Sequence, residues 1–247
     1  MSINTTFNYS PNFDRIKRNK KQIKYIVFHY TGMKSELSAI KRLTQIQSEV
    51  SSHYFIKNNG EIISLVPELY IAWHAGKSSW KNTKSLNKYS IGIEISNPGH
   101  RHGYQNFSIR QIKSLVKLSK YLIKKYKIKK NSILGHSDIS PERKLDPGEK
   151  FPWKILFKKK IGLWHAINKK ILIKLRNKKC DKFEEKQFLK NLFRIGYSQN
   201  INKNTDKKNF HTFSIKAFQR RFRQELINGK IDLECLLISQ KLKKQKF

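Results

Sequence analysis

A chain of 247 residues that is 38% hydrophobic and 12% aromatic can bury a substantial core, so wholesale disorder is excluded. Its 53 Lys and Arg against 17 Asp and Glu give a formal charge of +36, which excludes an acidic, solvating protein and suits polyanionic partners. Two cysteines, Cys180 and Cys235, exclude a disulfide scaffold or a cysteine-based zinc finger, and both read as small buried residues.

The N-terminal stretch is polar and then basic, with no apolar segment of a secretory signal, and no run approaches the ~18 apolar residues of a transmembrane helix. Tyr25 to Phe28 form a short apolar run that reads as a buried strand ending in a polar His-Tyr-Thr-Gly loop. Leu37, Ile40, Leu43, Ile46 and Val50 then fall at helical spacing, predicting a helix from Ser35 to Val50. HYFIK and EIISLV, separated by Asn58-Asn59-Gly60, read as a β-hairpin.

Ser90 to Ser96 reads as another strand. Ser108 and Gln111 have capping-box spacing ahead of a long amphipathic helix through Tyr126. Ser132 to His136 reads as a strand or its end. This order predicts an α/β fold with a mixed central β-sheet flanked by helices. Helical spacing recurs at Phe188, Leu189, Leu192 and Phe193 and again at Ala217, Phe218 and Phe222, across a polar stretch from Gln199 to Asn209. The expected organisation is a first domain over residues 1–166, a linker or linking helix over 167–182, and a small all-α domain over 183–247.

Three histidine-bearing segments sit at strand ends or loops: Phe28-His29-Tyr30, Trp73-His74-Ala75 and Gly135-His136-Ser137-Asp138, with Asp146 following in a Pro-Gly turn. Taken singly, each histidine has an ordinary structural reading, and Asp146-Pro147-Gly148 reads as a plain turn. Taken together, two imidazoles and one carboxylate match a catalytic zinc site, with three protein ligands and one position open to water. Asp138 is a rival to Asp146 for the carboxylate.

The segments VFHYTG, SSHYFIKNNGEI, AWHAG, SIGIEI and GHSDISPERKLDPG, in that order and spacing, resemble the zinc-dependent N-acetylmuramoyl-L-alanine amidases of type 2 over roughly residues 20 to 165. That family includes bacterial anhydro-muropeptide amidases, phage endolysins and peptidoglycan recognition proteins. The resemblance implies one Zn²⁺ per chain on His29, His136 and Asp146, with Glu94 as the acid/base and Lys144 as the stabiliser of the transition state. It also implies that Trp73 and His74 line the substrate groove, and that His53 is structural or lines the site. The stretch AFQRRFRQELINGKIDLECL resembles a helical peptidoglycan-binding domain found on periplasmic amidases of this family.

The implied activity is hydrolysis of the amide between N-acetylmuramic acid and L-alanine, in peptidoglycan or in anhydro-muropeptides. A peptidoglycan-binding protein without catalysis is the alternative. Specific nucleic-acid binding is not expected, because the basic residues are spread along the chain and no reading-head motif is present. The missing signal favours the cytoplasm and the wall-binding resemblance favours the periplasm; the sequence leaves this and the oligomeric state open.

Overall fold

The computed structural model describes residues 3–198 and 207–245. Its strands are β1 (Thr6–Phe7), β2 (Phe13–Asp14), β3 (Tyr25–Tyr30), β4 (Tyr54–Ile56), β5 (Ile62–Ser64), β6 (Ile71–Ala72), β7 (Ser79–Trp80), β8 (Thr83–Lys84), β9 (Ser90–Ile95) and β10 (Ile133–Gly135). The α-helices are α1 (Glu36–Thr44), α2 (Ile109–Tyr126), α3 (His136–Ile139), α4 (Trp153–Lys158), α5 (Lys169–Leu175), α6 (Lys182–Ile195), α7 (Lys207–Phe222) and α8 (Leu233–Lys243).

Six strands form one sheet in the order β1-β5-β4-β9-β3-β10, and β2–β6 and β7–β8 form two small antiparallel ribbons. The sheet is mixed as expected. β3 runs parallel to both β9 and β10, β4 runs parallel to β9, and the β4–β5 hairpin is antiparallel. The central strands β3 and β9 read as near-continuous apolar runs because both faces are covered. Ile26, Phe28, Ile91, Ile93 and Ile95 join Leu115, Leu118 and Leu122 of α2 in the main core. Phe55, Ile63 and Leu65 pack instead with Ala39 and Leu43 of α1.

The local signals of α2 are realised in full. The Ser108 hydroxyl accepts from the Gln111 N–H, and the Gln111 side chain accepts from the Ser108 N–H. The helix predicted from Ser35 to Val50 is shorter: α1 ends at Thr44, and Leu37 and Ile46 are exposed. The buried Asn12 amide donates to the carbonyls of Gln45 and Val50, 2.8 and 2.9 Å away, so a contact from far upstream takes acceptors that a continuing helix would use.

The expected linker over residues 167–182 contains α5, which packs on α8. The polar stretch expected from Gln199 to Asn209 lies, as far as residue 206, outside the described residues. The C-terminal helices share the main core with the sheet region. Trp80 packs on Tyr197, Trp164 on Phe222, and the Arg221 guanidinium lies 4.2 Å from the Trp153 ring centre. Gly196 permits the first of these contacts: a Cβ there would come within 2.3 Å of the Trp80 ring, and its φ of +141° also disfavours a side chain. Cys235 is buried as expected, whereas Cys180 is only half-buried.

Candidate metal centre

Strand register sets the first two functional side chains. His29 on β3 is the direct partner of Glu94 on β9. In a parallel pair such partners share a face, so the imidazole and carboxyl rise side by side from the middle of the sheet. β10 ends at Gly135, and His136 is the first residue of α3. The Gly135 N–H donates to Asp138 Oδ2 (2.8 Å), which fixes this strand-to-helix corner. The loop that follows is tied back to it, because the Ser137 N–H donates to the Asp146 carbonyl (2.8 Å).

Three side chains converge as a result. His29 Nδ1 and His136 Nδ1 are 2.9 Å apart, and Asp146 Oδ2 lies 3.1 Å from the first and 3.0 Å from the second. All three residues are buried. His136 Nε2 lies 3.2 Å from the Ala75 carbonyl, which can only accept. That nitrogen therefore carries the ring proton, and the Nδ1 lone pair faces the other two ligand atoms. A single proton cannot join three mutually adjacent acceptor atoms, whereas one cation can. Ligand atoms about 2.0–2.1 Å from a tetrahedral zinc ion stand about 3.3–3.4 Å apart, close to the separations here. The donor set fits zinc.

The electrostatics agree with a cation site. Burial, and then the charge of His136, lowers His29 to about 4, so its ring is neutral and able to ligate at ordinary pH. Burial opposes ionisation of Asp146, but the two imidazoles hold its carboxyl well below the usual carboxylate range. Glu94 is pushed the other way. Burial and the nearby Asp146 raise its carboxyl well above the ordinary value, opposed by Lys144. Glu94 Oε2 is buried without a hydrogen-bond partner in the protein.

These groups line one cleft of about 570 Å³, together with Tyr30, Trp73 and Lys144. Trp73 is half-buried, and its indole N–H is anchored to Asp14 Oδ1 at 2.7 Å. His74 also lines the wall, but both its ring nitrogens are taken, by His29 Nε2 (3.0 Å) and Ser90 Oγ (3.1 Å). His53 is structural: its Nδ1 accepts from the Gly92 N–H at 3.0 Å.

Asp138 does not join the ligand cluster. Its carboxylate faces the C-terminal helices, accepting from the Tyr197 hydroxyl (2.6 Å) and from Arg221 Nη1 (2.5 Å). Arg143 is likewise committed, its Nη2 donating to the carbonyls of Ala75 and Lys77. Sequence reasoning missed the opposite rim of the cleft. There His100 stacks on Tyr104, with its ring nitrogens 2.9 Å from the Tyr30 hydroxyl and 3.0 Å from Glu149. No motif marks His100; only the folded loop brings it to the site.

Residues 19–149 match the family model described as N-acetylmuramoyl-L-alanine amidase, Amidase_2. The N-acetylmuramoyl-L-alanine amidase AmiD of Escherichia coli strain K12 is 36% identical over 233 residues, covering 90% of this chain and 82% of the relative. The structure of AmiD from E. coli in complex with the substrate anhydro-N-acetylmuramic acid-L-Ala-D-gamma-Glu-L-Lys superposes with a TM-score of 0.76 at 34% identity, covering 93% of this chain and 91% of that one. AMPDH3 from Pseudomonas aeruginosa gives a TM-score of 0.77 at 28% identity over 99% of this chain and 98% of its own. With its family motifs folded around one cleft and nine-tenths of its length shared with such a relative, the chain belongs to the type 2 N-acetylmuramoyl-L-alanine amidase family.

Proposed function

We propose that the chain is a zinc-dependent hydrolase of the amide between the lactyl group of N-acetylmuramic acid and the L-alanine of a stem peptide. One Zn²⁺ would be held by His29, His136 and Asp146. The observation that carries this reading is the meeting of two imidazole nitrogens and one carboxylate oxygen within 3.1 Å of one another, in a cleft that also holds Glu94 and Lys144. Zinc in such a site supplies Lewis acidity, which makes water more nucleophilic and an amide carbonyl more electrophilic.

The protein's own groups do the rest. Glu94 lies beside His29 with an unpartnered oxygen and a raised proton affinity. It takes the proton of the attacking water and returns it to the departing alanine amine. Lys144 places a positive charge where the amide oxygen becomes an oxyanion. The Trp73 face, fixed by Asp14, offers an apolar wall to a sugar ring.

The relatives support a muropeptide substrate, since one is solved with an anhydro-muramyl tripeptide and AMPDH3 with an anhydromuramic pentapeptide. A role for the C-terminal helices in gripping peptidoglycan is part of the same proposal and rests on the AFQRRF resemblance. The alternative of a binder without catalysis is disfavoured because all three ligand positions and both catalytic positions are filled.

The test is turnover of a purified muropeptide before and after exhaustive chelation. Activity should disappear and return with Zn²⁺. Undiminished turnover by a protein shown to be metal-free would eliminate the mechanism. Mass spectrometry of products from intact sacculi and from anhydro-muropeptides, in parallel, identifies the substrate.

A further inference from the structure

His29 reaches the ligand cluster through Nδ1, so its other nitrogen must hold the ring proton for that lone pair to be available. The path that decides this runs away from the cleft into the sheet. His29 Nε2 lies 3.0 Å from His74 Nδ1, and His74 Nε2 lies 3.1 Å from Ser90 Oγ. The Ser90 hydroxyl lies 2.7 Å from the Leu86 carbonyl.

The chain has one consistent polarity, read from its far end. A carbonyl only accepts, so Ser90 spends its proton on Leu86. Its oxygen must then accept from His74 Nε2, which places the His74 proton there. His74 Nδ1 is left with a lone pair, and it accepts from His29 Nε2–H.

We propose that His74 is a positioning residue that, with Ser90 and the Leu86 carbonyl, locks His29 in the tautomer that turns its Nδ1 lone pair toward His136 and Asp146. The chain ends on a carbonyl and so leads no proton out of the site; its role is to set direction. The SIGIEI motif makes room for it. A Cβ on Gly92 would come within 2.4 Å of His74 Cγ, so glycine at this strand position allows the His74 ring to lie across β9 between His53 and His29. The inference deepens the proposed function, since it rests on His29 being a metal ligand.

The experiment uses the full chain, stripped of metal and labelled with ¹⁵N-histidine, and reads the protonated nitrogen of each ring by long-range ¹H–¹⁵N spectra. Zinc affinity is measured separately by competition with a chelator. In the wild type the His29 proton should sit on Nε2. Ser90→Ala leaves His74 in place but frees its proton to move to Nδ1. The His29 signal should then become a tautomer mixture. Removing the acceptor with His74→Phe should weaken zinc binding roughly 10–100-fold, and Ser90→Ala should cost about 10-fold. His74→Gln can still accept from His29 and donate to Ser90, and should recover affinity to within roughly threefold of wild type.

A wild-type spectrum with the proton on His29 Nδ1 overturns the proposal, whatever the variants do. So does zinc affinity within roughly twofold of wild type in both Ser90→Ala and His74→Phe. Failure of the underlying metal reading looks different: the wild type binds no zinc at all, while its metal-free spectrum still reports the tautomer.

Discussion

The two imidazoles that meet at the centre are held by different parts of the chain. On the side away from the ligand cluster, His29 is supported within the sheet region by His74 and Ser90, both of which lie between residues 25 and 95. His136 hangs from the Ala75 carbonyl and from the short helix α3, whose Asp138 is gripped by Tyr197 and Arg221, 59 and 83 residues away. One ligand is therefore a local product of the sheet. The other depends on helices that sequence resemblance assigns to a separate wall-binding domain. The contrast indicates that the C-terminal helices are part of the frame of the site.

Removing those helices should have the largest effect. A chain ending at Ala166 exposes the packing faces of Trp80, Trp153 and Trp164 and strips Asp138 of both partners. Calorimetry should show loss of cooperative unfolding. A truncated protein with a sharp transition and normal zinc affinity would show that His136 needs no such support.

Arg221→Met is the local version. It leaves Asp138 buried without its counter-charge, and removing one partner of such a pair costs about 3–5 kcal/mol. Urea unfolding measures this, and a loss below about 1 kcal/mol would place the pair among energetically silent contacts.

Glu94→Gln separates chemistry from support. It touches neither histidine's hydrogen bonds, so zinc affinity should hold while kcat falls roughly 10²–10⁴-fold. Parallel loss of metal would mean that Glu94 helps to build the site.

Acid should loosen the junction in a graded way. Burial lowers His165 to about 4, with its Nδ1 accepting from Ile167 N–H and its Nε2 donating to the Phe222 carbonyl. The unfolded chain takes up this proton below about 6.5 and the folded chain only near 4. Stability should therefore fall between those values by about 1.4 kcal/mol per pH unit for this residue, and level off below. Buried His53 has the same sign. Thermal unfolding of metal-free protein across this range checks the slope. The smallest effect is expected at the exposed Lys169–Glu225 pair, where Lys169→Ala should cost under about 1 kcal/mol.

The division between what was legible in the sequence and what was not follows the range of the contacts. Five strands of the main sheet were readable as short apolar runs with turn residues between them; the edge strand β1, two residues long and exposed, was not. The meeting of His29, Glu94, His136, Lys144 and Asp146 in one cleft was readable because each stands in a compact motif at a strand, a strand end or the adjoining loop. The length of α1 was not, since the side chain of Asn12 competes for its end. Nor was the partnership of Asp138, which as a sequence neighbour of His136 could as well have been a ligand. Its actual partners come from helices distant in the chain. The place of His74 was half visible: the AWHAG motif brought it to the cleft, but only the packing over Gly92 discloses that its nitrogens face inward.

The grip of Arg221 and Tyr197 on Asp138 carries a practical lesson for anyone wishing to graft a foreign cell-wall anchor onto this enzyme. A chimera joined at the α5 segment would have to bring a guanidinium and a phenol to the same buried carboxylate, along with a glycine that tolerates the Trp80 indole. Without them the new anchor would disturb the corner that presents His136, and with it the proposed metal site.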